Sequence, residues 1–251
     1  FYFRGTERID DQTKVEVYER LNLEEKLYLD TVRRIMDSGI EKEDRTGVGV
    51  FSIFGTQYRF DLVRGFPLFT TKKMNLRNIF HELMWILRGQ TDAKILDTKG
   101  VPVWNGNSSR EFLDNRGLQH YKEGLIGTTY GWSMRNLGAP YDPETGDTFI
   151  QGHTGFDQLK YVLYLIENDP TSRRIVIDLW DSHYTKDMAL TPCMMVYNFH
   201  CDVRRKKLNL HMFIRSSDTF LGFPWNVAYS ALLVHLVCNV KSIKEKQGFT
   251  P

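Results

Sequence analysis

"ALTPCMMVYNF" (residues 189–199) places a cysteine behind a proline and at the head of an apolar, β-branched and aromatic run. The run reads as a buried strand beginning at or near Cys193. Two similar runs flank it, "RRIVIDLW" before and "LNLHMFIRSSD" after, so three strand-like runs follow one another. Helical patterns surround them. "NLEEKLYLDTVRRIMDSG" (22–39) spaces its apolar residues at helical intervals, with Gly39 as a C-cap. "NLRNIFHELMWILRG" (75–89) reads as a largely buried helix stopped at Gly89, and "GFDQLKYVLYLIENDP" (155–170) as an amphipathic one stopped before Pro170. "VAYSALLVHLVCNV" (227–240) reads as a buried helix, while "GVGVFSIFGTQYRFDL" (47–62) is rich in β-formers and predicts strands. Residues 105–155 predict long loops around short elements, with "TTYGWSMR" (128–135) the exception. The irregular alternation points to an α+β fold around a mixed or antiparallel sheet.

Composition narrows the function classes. The 251 residues suffice for one large domain or two small ones, and 41% hydrophobic residues can fill a sizeable core. A formal net charge of +2 makes no electrostatic case for nucleic acid, and "RRKK" (204–207) reads as a solvated turn between strands. The three cysteines show neither CxxC pairing nor Cys/His ligand spacing, which argues against a disulfide framework or a zinc site and for a reducing, cytoplasmic setting. No apolar run is long enough to span a membrane, and no secretory signal is visible.

Three places invite chemistry. Cys193 is either a small core residue or a nucleophile, and a nucleophilic thiolate needs positive charge nearby. Arg45, the adjacent Arg173 and Arg174, and Arg215 are candidates to supply it. Arg215 ends an apolar strand and is followed by Ser216, Ser217 and Asp218, a pattern suited to gripping an anion. Glu82 lies among apolar neighbours; it is either paired with His81 or an arginine, or an acid/base group with a raised pKa. Asn226 opens an apolar helix; it is either an N-cap or a reader of an amide-like edge such as uracil N3–H and O4.

Together "DRTGVGVFSIFG", "GFPLFTTKKMNLRNIFHELMWILRG", "GVPVWNGNSSREFLD", "NDPTSRRIVI", "MALTPC" and "IRSSDTFLGFPWNVAYSALLVH" resemble the thymidylate synthase family, which includes pyrimidine-nucleotide hydroxymethylases. The likeness runs from about residue 22 to about residue 240, in the family's order, leaving residues 1–21 as an uncovered leader and 22–251 as the expected catalytic domain. It implies a sheet face used for two-fold dimerisation. It implies that Cys193 attacks C6 of dUMP, and that C5 then takes a one-carbon unit from the co-substrate 5,10-methylenetetrahydrofolate, without a metal. By the same resemblance Arg45, Arg215 and Ser216 hold the phosphate, Arg173 and Arg174 reach it from a second copy, and Asn226 reads the base. Glu82 works through ordered water near O4, and Tyr130 helps position the proton leaving C5. Asp218 and Gly222 meet the pterin, Trp104 and Asn107 line the folate pocket, and Lys72 lies near the folate tail.

The chain departs from the family pattern at Met194 (usually His), Ile214 (usually Gln), "GTTYG" (usually Gly-Pro-x-Tyr-Gly) and Asn105 (usually Asp). The dCMP hydroxymethylases share "YGW" and an apolar residue before the phosphate arginine, but carry Asp where this chain has Asn226. Three readings therefore stand: thymidylate synthesis, hydroxymethylation of dUMP, and a catalytically weak relative with a binding or structural role. Family members continue past the helix ending near Val240, and the first residue here is Phe1, so a chain incomplete at both ends is expected, with a shortened relative as the alternative.

Overall fold

The computed structural model describes residues 23–44, 47–147 and 155–251, which fall into two compact units divided between Met74 and Asn75. The predicted leader and Arg45 lie outside the described residues.

In the first unit, α1 (Leu23–Ser38) is followed by the short antiparallel pair β1 (Ile40–Lys42) and β2 (Val50–Ser52). Tyr28 of α1 stacks on Phe69 with ring centroids 4.8 Å apart. Glu25 is fully buried, yet its carboxylate accepts from the amides and hydroxyls of both Thr70 and Thr71, so its charge is met by four donors. The β-former run 47–62 yields only the three residues of β2. The strand does not extend further: Phe54, beyond its end, is exposed, and propensity without a buried face does not prolong a strand.

The second unit begins with α2 (Leu76–Leu87), capped by the Asn75 side chain, which accepts from the Asn78 amide. It buries Ile79, Glu82, Leu83 and Ile86, spaced as one helical face. Gly89, at φ 72°, closes it with its amide on the Ile86 carbonyl at 2.8 Å. Short helices follow: α3 (Lys94–Asp97), α4 (Asn105–Ser108), α5 (Arg110–Asn115) and α6 (Gly131–Asn136). α7 (Gln158–Asn168) is capped by Asp157, which also pairs with Arg135 of α6 at 2.9 Å.

β3 (Val176–Asp178), β4 (Met194–Asp202) and β5 (Lys207–Ile214) form a sheet with β4 in the centre, and a 3-10 turn (Ser182–Asp187) lies between β3 and β4. Both pairings are antiparallel, the second of the two sheet types expected from sequence and not the mixed one; a single parallel bridge, Lys207 to Thr250, stands outside the named strands. α8 (Gly222–Cys238) and α9 (Lys241–Lys246) complete the unit. α8 buries residues around its whole circumference because it packs against both β5 and α2. One sheet face is therefore core, carrying Ile177, Tyr197, Phe199, Cys201 and Leu208. The opposite face alternates with it and carries Val196, Asn198 and His200 opposite Phe213, His211 and Asn209. Helix α8 begins five residues earlier than its apolar run suggested, so Asn226 sits inside it and is not its N-cap; Asp218 instead receives the Phe220 and Leu221 amides at 2.9 and 2.7 Å.

Candidate active site

The head of β4 is tied down from several directions. The Cys193 amide donates to the Tyr130 hydroxyl at 2.8 Å, and the Cys193 carbonyl accepts from the Arg215 amide at 3.0 Å. The Arg215 side chain grips the two residues before the cysteine. Its Nε donates to the Pro192 carbonyl at 2.9 Å, and Nη2 donates to the Thr191 carbonyl and hydroxyl at 3.1 and 2.9 Å. The guanidinium also lies 5.1 Å from the Trp180 ring centroid, a cation–π contact. Of its five N–H donors, the two on Nη1 have no hydrogen-bond partner among the described residues. Upstream, the Asp187 carbonyl accepts from the Tyr121 hydroxyl at 2.8 Å and the Thr128 amide at 3.3 Å, while Arg116 reaches the Met188 carbonyl at 3.3 Å. Cys193 itself is half-buried, unlike the buried Cys201 and Cys238.

Tyr130 enters α6 in a strained backbone conformation, φ 24° and ψ −85°, a cost of about 1–3 kcal/mol for a non-glycine residue. Its hydroxyl bond to Cys193 and the edge of its ring against Trp104 (centroids 5.9 Å apart) hold it there. Burial pushes its phenol pKa well up, and the neighbouring Cys193 adds to the effect.

Glu82 is buried without an arginine or histidine partner among the described residues; His81 points along a different face of α2 and is half-exposed. Two indoles serve it instead. Trp104 Nε1 donates to Oε1 at 2.8 Å, and Trp225 Nε1 donates to Oε2 at 2.5 Å. Burial raises the carboxyl pKa, and the two indole bonds pull partly the other way. This is an acid held in an apolar pocket by neutral donors, a setting suited to moving a proton. Trp225 was not singled out from sequence, although it adjoins Asn226. The signal was there: a carboxylate among apolar residues needs donors, and indole supplies one that an apolar core tolerates.

The remaining candidates divide by position. Asn226 is half-buried on α8 beside Trp225. Ser216 and Asp218 are exposed in the turn between β5 and α8, and a Cβ on Gly222 would meet nothing closer than Asp218 Cβ at 3.8 Å. Asn107 is half-buried on α4, just beyond Trp104. Arg173 and Arg174 stand exposed at the entry to β3 and are not drawn into the Cys193 cluster. Lys72 belongs to the first unit and is half-buried. Met194 and Ile214, two of the departures from the family pattern, are register partners across β4 and β5. The buried Met194 sulfur accepts from the Tyr197 hydroxyl at 3.1 Å, so the two departures stand opposite each other on neighbouring strands, next to the cysteine. Among the described residues no three His, Cys, Asp or Glu side chains stand together as a metal site, and no helix is long and apolar enough to cross a membrane.

A half-buried thiol, a strained tyrosine, a clamped arginine and a buried carboxylate, gathered on an antiparallel α+β scaffold, define a nucleophile-and-acid type of site. The thymidylate synthase family model matches residues 26–249, and the chain belongs to that family. It is 44% identical over 220 residues to the bifunctional dihydrofolate reductase-thymidylate synthase of Paramecium tetraurelia, covering 86% of this chain and 46% of that protein. The bifunctional proteins of the same name from Zea mays and Leishmania major are 43% and 41% identical over 224 residues, covering 89% of this chain and 42% of each. The chain thus spans less than half the length of these relatives.

Proposed function

We propose that the chain catalyses transfer of a one-carbon unit from 5,10-methylenetetrahydrofolate to C5 of dUMP, giving dTMP and dihydrofolate. The observation that carries the reading is the Arg215 clamp: the same side chain fixes residues 191–192 next to Cys193 and retains two donors for an anion. A phosphate on Nη1 and Ser216 would set the pyrimidine ring beside the thiol. Membership of the family and the names of the relatives support the same activity.

In this reaction the Cys193 sulfur bonds to C6, and the ring's π electrons move to C5 and O4. C5 then bonds to the methylene carbon as one folate nitrogen releases it, and loss of the C5 proton expels the second folate nitrogen to leave an exocyclic methylene. Hydride from the reduced pterin adds to that methylene carbon, making the methyl group and dihydrofolate, as the thiol leaves C6. Asn226 donates to O4 and accepts from N3–H, which selects uracil over cytosine. Glu82 supplies and recovers the proton that O4 needs, through ordered water. Tyr130 both holds the Cys193 amide and stands beside the C5 proton as it leaves.

The co-substrate would lie over Trp104 and Asn107, with Asp218 and Gly222 at its pterin edge. The exposed Phe220 and Leu221 beside Asp218, and the open space at Gly222, suit a flat ring. For Lys72 and Arg45, the roles at the acidic tail and the phosphate rest on the family resemblance alone.

The open sheet face, with Val196 and Phe213 among polar neighbours, supports a two-fold dimer in which exposed Arg173 and Arg174 reach the partner's phosphate site. Free cysteines throughout the described residues suit a reducing cytoplasm.

Hydroxymethylation of dUMP is the second reading, favoured by the apolar Met194–Ile214 pair beside the nucleophile. The test is incubation with dUMP and methylenetetrahydrofolate, with the C5 product identified by mass and dihydrofolate followed by absorbance. dTMP with equal dihydrofolate is expected. Hydroxymethyl-dUMP without dihydrofolate would establish the second reading and overturn the first.

A further inference from the structure

Tyr229 is buried in α8, and its hydroxyl has no hydrogen-bond partner among the described residues. Buried hydroxyls are rarely left so, and a bridging water is the usual remedy where polar groups converge. Tyr229 lies four residues after Trp225 on the same helix, one turn beyond the indole that holds Glu82. Three tyrosines, Tyr130, Tyr197 and Tyr229, share the electrostatic neighbourhood of Glu82. Two already make a hydrogen bond elsewhere: the Tyr130 oxygen accepts from the Cys193 amide, and the Tyr197 hydroxyl donates to Met194 sulfur. Of the three hydroxyls, that of Tyr229 alone makes no hydrogen bond of any kind among the described residues.

Glu82 has a matching need. Each of its oxygens accepts from one indole, and an indole N–H can only donate. When the carboxyl is neutral its own O–H requires an acceptor, which neither tryptophan can be. When it is ionised it can take a further donor. A phenol serves both states by turning its proton. We propose that Tyr229 is a positioning residue for Glu82, accepting from the carboxylic acid and donating to the carboxylate through one bridging water. This inference rests on the reading of Glu82 as the acid/base group.

The other groups around Glu82 leave this role open to Tyr229. From α8 come Trp225 and Tyr229, from the entry of α6 Tyr130, from β4 Tyr197 and from the start of α4 Trp104. Arg135 of α6 is engaged by Asp157 and the Leu87 carbonyl. Lys94 and Asp97 of α3 are exposed.

The test is the pH titration of the Glu82 carboxylic C=O stretch by difference infrared spectroscopy on the full chain, with Glu82→Gln assigning the band. A hydrogen bond to the charged form is the stronger of the two, so Tyr229→Phe is expected to move the protonation midpoint upward. In turnover, the matching limb of the kcat pH profile should move with it, while KM for dUMP stays within about twofold. Difluorotyrosine at position 229, a more acidic phenol of the same shape, should move the midpoint downward and serves if the phenylalanine variant does not fold. An unchanged midpoint would overturn the proposal. A chain that makes no dTMP would overturn the functional reading alone, because the infrared titration needs no substrate.

Discussion

Three cysteines share this chain, and their surroundings separate them. Burial pushes the Cys201 thiol, on β4, and the Cys238 thiol, at the end of α8, both up to about 11. Cys193 alone of the three is half-buried. Alkylation requires thiolate and access together. Iodoacetamide at pH 8 should therefore label Cys193 first and singly, with about one in a thousand of the buried thiols ionised. The sign for stability runs the same way. A thiol whose folded pKa is raised above its unfolded value contributes stability that is present below about 9 and is lost as pH rises through about 11. Peptide mass mapping across pH 7 to 10 checks the order; early labelling at Cys201 or Cys238 would mean that β4 and α8 open far more readily than their packing implies. Prior occupancy of the site by dUMP should slow labelling at Cys193 and leave the other two unchanged.

At the scale of elements, the segment that delivers Cys193 is fixed by a close backbone approach. Gly127 has φ 80°, and a Cβ there would overlap the Asp187 carbonyl oxygen and crowd the Tyr121 ring. Gly127 and Met188 are bridge partners, so the glycine is what lets 127–128 lie against 187–188. Gly127→Ala should cost about 2–4 kcal/mol in urea unfolding, since neither backbone can yield without breaking the bonds on Asp187. A loss under about 0.5 kcal/mol would show that this contact is soft. None of this was legible in the sequence, where "GLIG" (124–127) falls in the stretch read as long loops. What was legible is what periodicity reports. α1, α2 and α7 fall within two or three residues of the runs that predicted them, because each buries one face at helical spacing. β4 and β5 followed from apolar runs with turn signals between them. The start of α8 did not, because "GFPWN" has turn-forming composition and its helix is imposed by packing against β5 and α2. The site divides likewise. Glu82 was conspicuous as a charge among apolar residues, but its indole partners lie 22 and 143 residues away, and no local pattern pairs them.

The whole molecule poses a question of stoichiometry. The Cys193 cluster contains Arg215 but neither Arg173 nor Arg174, which stand exposed before β3. The same sheet presents an open face on which Val196 and Phe213 are cross-strand neighbours. If the two-fold dimer proposed above forms on that face, each phosphate site needs arginines from the other subunit. Cys193→Ala and Arg174→Glu would then disable different halves of a site, and each homodimer should be inactive or nearly so. In a heterodimer formed by exchange, both lesions fall on one site and leave the other intact. Random reassortment makes half of the dimers mixed, each with one good site, so an equimolar mixture should recover about a quarter of the native rate. The recovery should grow with the time allowed for subunit exchange and should disappear on dilution below the dimer dissociation constant. Two inactive variants that stay inactive after complete exchange, shown by mass or light scattering to have mixed, would mean that Arg174 acts within its own subunit or not at all. Recovery well above a quarter would mean that exchange favours the mixed pair, which charge reversal at Arg174 permits because it relieves or adds repulsion across the two-fold axis.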